Sequence, residues 1–129
     1  MIGKRITICV AMFFAINSFF PIEANRGNEM ENRHITATEA REKMQGDAVI
    51  LDVRTPEEFS AGRIPGAILL PNYAIADRAS KVLPNKDALI LVYCRSGVRS
   101  RDAVYDLIAL GYTNVFDFGG INSWPYERE

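Results

Sequence analysis

The residues best suited to chemistry lie together in Cys94-Arg95-Ser96-Gly97-Val98-Arg99-Ser100, between two segments of opposite pattern. Ala88 to Tyr93 is apolar throughout and rich in β-formers, the mark of a short buried strand. From Gly97 to Leu110 the period turns helical. Ser100, Ala103, Val104, Leu107, Ile108 and Gly111 share one stripe, and Arg101, Asp102, Tyr105 and Asp106 lie opposite. Gly111 stands where a helix C-cap glycine belongs. Cys94 is therefore expected as the first residue after a strand, at the mouth of a tight loop that winds into a helix.

That placement has chemical consequences. The first turn of a helix leaves backbone N–H groups unpartnered, and the aligned peptide dipoles make it positive. A glycine lets the loop curl until several N–H groups converge on one point, an anion nest. A thiol there is expected to ionise more readily than a free cysteine (pKa about 8.5), with Arg95 and Arg99 reinforcing the effect. Each feature has a plainer reading: a buried cysteine packs as a small hydrophobe, and a run of arginines is often a solvated face. Joined as strand, cysteine, glycine loop and helix, they point to a nucleophile facing a pocket for a second negative charge.

The elements that must position this loop follow from the rest of the chain. Its 129 residues make one domain, and with 48% of them hydrophobic they can build a single core. The formal net charge of −1 argues against nucleic acid as a partner, so the positive charge is local to the loop. Residues 1–24 read as a signal peptide: Lys4-Arg5, the apolar run Ile6 to Ile16, and a cut near Ala24. An uncleaved anchor is the alternative, but Asn17 and Ser18 interrupt the apolar run well short of the twenty or so residues of a span. Cleavage implies an exported, periplasmic protein with no membrane attachment and with Cys94 as its only cysteine. Residues 25–33 read as a flexible linker, and the domain is expected over residues 34–129.

Within it, His34-Ile35 opens a short strand, and Thr36-Ala37-Thr38-Glu39 is a capping box for a helix running to about Gln45 and stopped by Gly46. Ala48 to Val53 reads as a strand, and Thr55-Pro56-Glu57-Glu58 starts a short helix that ends near Gly62. Asp52 and Arg54 are read first as a structural pair and second as rim of the site. Ile64 to Leu70 carries a Pro-Gly turn and a third short buried strand. Tyr73, Ala76, Ala79, Val82 and Leu83 mark a helical stripe, and Asn114 to Phe118 alternates as the last strand before the Gly119-Gly120 turn. Trp124 is expected to pack over the core. Strands alternating with helices imply a doubly wound, mainly parallel five-stranded sheet with helices on both faces, binding ligands beyond its carboxyl edge. One cysteine and one histidine cannot build a zinc site, and His34 is read as a surface residue rather than a partner for Cys94.

The loop Cys94 to Arg99, in the pattern C-R-x-G-x-R, resembles the six-residue active-site loop of the rhodanese (thiosulfate sulfurtransferase) family. The resemblance extends over Ile35 to Trp124 through Asp52 to Phe59, Ile64 to Ala67, Gly119 to Ile121 and Trp124. Arg63 departs from it, standing where the family often has histidine. The resemblance implies a rhodanese-like fold, no cofactor, and a sulfur transfer in two halves through a persulfide on Cys94. Arg95, Ser96, Gly97, Val98 and Arg99 would bind the substrate. Thiosulfate would be the donor, and cyanide, a thiol or a protein the acceptor, with the chain acting as a monomer. Two other readings remain open at this level: a non-catalytic persulfide carrier, and a cysteine phosphatase or arsenate reductase. The latter have five residues between cysteine and arginine against four here, and Asp117 and Asp102 are their only candidate acids.

Overall fold

The computed structural model describes residues 32–129. The leader and nearly all of the linker lie outside the described residues. Arg33, placed in the linker by its sequence, is already tied to the domain, because the Asp117 N–H donates to its carbonyl at 2.8 Å. Among the described residues no helix is long and apolar enough to cross a membrane.

The chain alternates as the pattern requires. The elements are α1 (Ala37–Lys43), β1 (Val49–Asp52), α2 (Pro56–Ala61), β2 (Ile68–Leu69), a 3-10 turn (Asn72–Ala74), α3 (Ile75–Val82), β3 (Ile90–Cys94), α4 (Val98–Ala109), β4 (Val115–Gly120) and a last 3-10 turn (Ile121–Ser123). Both expected capping boxes form. Thr36 accepts from the Glu39 N–H and Thr55 from the Glu58 N–H, while each glutamate reaches back to its cap. Helix α4 ends in a Schellman motif: the Gly111 N–H meets Ile108 O at 3.0 Å and the Tyr112 N–H meets Leu107 O at 3.1 Å, with Gly111 at φ +98°.

The sheet is parallel throughout, in the order β2-β1-β3-β4, and has four strands where five are expected from the sequence. The missing strand is the one at His34-Ile35. It shrinks to a single parallel bridge between His34 and Asp117, because helix α1 begins two residues later and leaves no length to pair. Strand β2 is two residues long at the sheet edge, and Ile68 is exposed rather than buried. Gly46 does not adopt the left-handed backbone of a helix-stopping glycine; α1 closes earlier, at Met44.

Strand alternation sends side chains to two cores. Leu91 and Tyr93 point to one face and pack with Ala40, Ile64, Phe118, Ile121 and Trp124. Ile90, Val92 and Cys94 point to the other, under α4, whose Ala103, Val104 and Leu107 are fully buried. Ile75, Ala79 and Leu83 bury the inner side of α3. Tyr73 and Ala76, placed on that stripe by sequence spacing, are exposed instead, because the 3-10 turn before α3 shifts the phase of the pattern. Trp124 packs as expected, 6% exposed and against Phe118.

Candidate functional site

Cys94 is the last residue of β3, and the chain turns from it into α4 through Arg95, Ser96 and Gly97. The turn depends on Gly97, which caps α4 at φ +106°, a conformation that costs other residues about 1–2 kcal/mol. Its N–H donates to Cys94 Sγ at 3.0 Å. No side chain caps α4, so its first N–H groups remain free toward the loop. Of the amides expected to converge on the sulfur, Gly97 is the one in hydrogen-bonding contact with Sγ itself.

The thiol is fully covered. It does not sit on the wall of the neighbouring cavity of about 400 Å3, which is lined by Arg54, Glu58, Gly62, Arg95, Asn122 and Arg128 among others. Arg95 is exposed and contributes to that wall; the sulfur lies beneath the loop. On the α4 side Ser100 Oγ approaches Sγ to 3.5 Å, and Ser100 donates to Asp117 Oδ1 at 2.6 Å.

A second backbone packs tightly against the loop. Strand β4 bulges between its pairings Val92 with Asp117 and Cys94 with Gly120, and Gly119 takes φ +92° in the bulge. Gly120 then lies flat on the loop, where an added Cβ would collide with the Arg95 carbonyl and stand 2.6 Å from Ser96 Cα. The same carbonyl accepts the Asn122 N–H at 3.2 Å. The double glycine, read from sequence as a turn, is a close approach of two backbones.

Arg99 does not stand free beside the sulfur. Its two terminal nitrogens meet the Glu58 carboxylate at 2.8 and 3.0 Å. The hydrogen bond from Arg99 is the main cause that holds the Glu58 carboxyl down at about 2, with the Thr55 cap assisting; Glu58 in turn raises Arg99. Asp52 and Arg54 form a buried pair, Arg54 Nη2 to Asp52 Oδ2 at 2.7 Å, and Arg54 also donates to Gly62 O at 2.7 Å. Tyr93 completes the network: its hydroxyl donates to Asp52 Oδ2 at 2.7 Å and accepts the Ile64 N–H at 3.1 Å. Burial is the main reason this phenol is pushed well above its ordinary range. Reading the sequence missed Tyr93, since an aromatic residue in an apolar strand carries no sign of a buried acceptor opposite. Arg63, at the family's histidine position, packs over Phe59 and pairs with Glu129 at 3.3 Å. Asp102, the other candidate acid, is exposed on α4 away from the buried stripe.

A parallel α/β sheet with a cysteine at the carboxyl end of a central strand, held by the amide of a helix cap, is an arrangement suited to thiol chemistry on an anionic ligand. The chain belongs to the rhodanese family: the family model described as "Rhodanese-like domain" matches residues 36–126. It is 40% identical over 79 residues to a sulfurtransferase of Allochromatium vinosum, covering 60% of this chain and 72% of that one. It is 35% identical over 71 residues to the thiosulfate sulfurtransferase PspE of Escherichia coli, covering 55% and 68%. Among solved structures, a rhodanese-related protein of Thermoplasma volcanium superposes with a TM-score of 0.67 at 34% identity, over 75% of this chain and 97% of that one.

Proposed function

We propose that the chain transfers sulfane sulfur from thiosulfate to a thiophilic acceptor, cyanide or a thiol, through a persulfide on Cys94. The observation that carries this reading is the Gly97 N–H on Cys94 Sγ at 3.0 Å, at the uncapped start of α4. In the first half-reaction the Cys94 thiolate attacks the outer sulfur of thiosulfate. The S–S bond of the donor breaks, and sulfite leaves with the electron pair. In the second, the acceptor attacks the outer sulfur of the persulfide and Cys94 recovers its thiolate. Splitting the transfer this way gives ping-pong kinetics.

The loop supplies the electrostatics. The N–H groups of the first α4 turn, from Val98 onward, have no side-chain cap and would stabilise the charge that develops on a sulfur added to Cys94. Arg95 is the loop arginine that meets the donor dianion, from the wall of the open cavity. Arg99 acts through Glu58, fixing the start of α2 against the loop. The site lies in an exported, periplasmic domain, a reading supported by the basic and apolar pattern before Ala24.

Steady-state turnover with thiosulfate and cyanide tests the proposal. Many thiocyanates per chain, with parallel double-reciprocal plots and none from Cys94→Ala, is the expected result. One thiocyanate per chain would identify a sulfur carrier instead.

A further inference from the structure

The side of Cys94 that faces α4 is not sealed by hydrocarbon. Ser100 Oγ lies 3.5 Å from Sγ, and Ser100 Oγ and Asp117 Oδ1 are 2.6 Å apart. Ser100 is fully buried and Asp117 is 4% exposed. The other carboxylate oxygen, Oδ2, is 3.1 Å from Nδ1 of His34, whose side chain is 60% exposed. A continuous line of polar contacts thus leads from the covered sulfur to solvent, through three elements distant in sequence.

The direction of these bonds follows from a count of protons. A serine hydroxyl has one proton, and the short, charge-assisted bond to Asp117 takes it ahead of Gly97 O at 3.1 Å and Gly119 O at 3.3 Å. Its lone pairs therefore face Sγ and are set to accept an S–H. Burying a carboxylate is costly. Part of that cost is offset by the Gly119 N–H, which donates to Asp117 Oδ1 at 2.9 Å and holds the β4 bulge. Anchoring the bulge needs only one oxygen, however, and does not explain why the second meets a surface imidazole.

We propose that Ser100, Asp117 and His34 form a proton path for Cys94, a proposal that rests on Cys94 being the sulfur-carrying nucleophile. The S–H bond breaks and its electron pair stays on sulfur. The proton passes to Ser100 Oγ as the hydroxyl's own proton passes to the Asp117 carboxylate. The protonated carboxyl turns to bring that proton from the Ser100 side to the His34 side, where the ring, as its Nε2–H tautomer, takes it at Nδ1 and releases its Nε2 proton to water. Ser100 touches the reacting sulfur, whereas Asp117 and His34 act through it and are positioning residues. The other charged groups near the path are few. Arg99, next to Ser100 in α4, is paired with Glu58. Arg33, next to His34, donates to Thr113 O. Asp52, Arg54 and Tyr93 form their network on the opposite face of the sheet.

The test is single-turnover persulfide formation by the full-length chain with thiosulfate, followed by intact mass between pH 5.5 and 9. Ser100→Ala and Asp117→Asn are expected to slow the step about tenfold or more at pH 6 and little at pH 9, where hydroxide replaces the relay as proton acceptor. The double variant is expected to be no slower than either single one. His34→Ala, a change at an exposed position, should lose rate at pH 6 and recover it with added imidazole. Equal losses at pH 6 and pH 9 would assign Ser100 and Asp117 to packing and overturn the path. An unaltered His34→Ala, or a loss that imidazole does not restore, would overturn its exit. If the unmodified chain takes up no sulfur at all, the reading of Cys94 fails first, and the path with it.

Discussion

Both terminal nitrogens of Arg99 rest on one carboxylate, that of Glu58, at 2.8 and 3.0 Å. The positive charge that Arg99 brings to the loop is therefore largely cancelled from α2, while that of Arg95 is not. Glu58→Gln removes that cancelling charge and keeps a side chain able to accept from Arg99. The variant is expected to lower the KM for thiosulfate several-fold at low ionic strength, and the gain should vanish in about 0.5 M salt as screening shortens the reach of the charge. Equal KM values for the two proteins at low salt would contradict the cancellation.

The same pair makes stability depend on pH in a defined window. The Glu58 carboxyl falls from about 4.5 to about 2 on folding. A lowered folded-state value means the unfolded chain binds the extra proton as pH falls. The stability contributed by the pair is thus whole above about pH 5 and is lost between there and about pH 2. Melting temperatures measured from pH 7 to pH 2.5 should fall more steeply for the unmodified chain than for Glu58→Gln. Matching slopes would remove Glu58 as the cause.

The two neighbouring glycines should respond differently to alanine. At Gly120 a Cβ collides with the Arg95 carbonyl, so the Cys94 loop must move. Gly120→Ala is expected to cost about 1–3 kcal/mol in denaturant unfolding and to abolish sulfur transfer. At Gly119 nothing lies within 4 Å of an added Cβ, but φ is +92°. Gly119→Ala is expected to cost about 1–2 kcal/mol from backbone strain while retaining most of the transfer rate. Similar activities for the two variants would show that the loop does not depend on the close approach.

How much of this was legible in the sequence depends on how far apart the interacting residues lie. Local signals read well. Thr36 and Thr55 cap the helices their spacing announces, Gly111 closes α4, and the passage from β3 through Cys94 into α4 falls within a residue of its expected place. Phase and length read less well. A 3-10 turn before α3 turned Tyr73 outward, and the start of α1 reduced the His34 strand to one bridge. Pairings set by the sheet register were not legible at all. Arg99 with Glu58, Tyr93 with Asp52, and Ser100 with Asp117 join residues 41, 41 and 17 positions apart. Nothing in the neighbourhood of either partner announces the other.

Tyr93 offers a check on the buried network that is independent of the chemistry. Tyr93→Phe leaves the Ile64 N–H without its acceptor and takes a donor from Asp52. An unmade buried hydrogen bond costs about 1–3 kcal/mol, so the variant should unfold at lower denaturant by that amount. Its sulfur transfer at low temperature should remain near that of the unmodified chain, because Tyr93 faces away from Cys94. A large loss of transfer with unchanged stability would mean that the two faces of the sheet are coupled.

Sulfur storage is assigned to Cys94, held by the Gly97 amide at the start of α4, under the proposed function. Intact mass of the protein before and after thiosulfate tests it directly. A gain of one sulfur per chain is expected, removed by cyanide and absent in Cys94→Ala. An unchanged mass, or a sulfur that persists in Cys94→Ala, would contradict it.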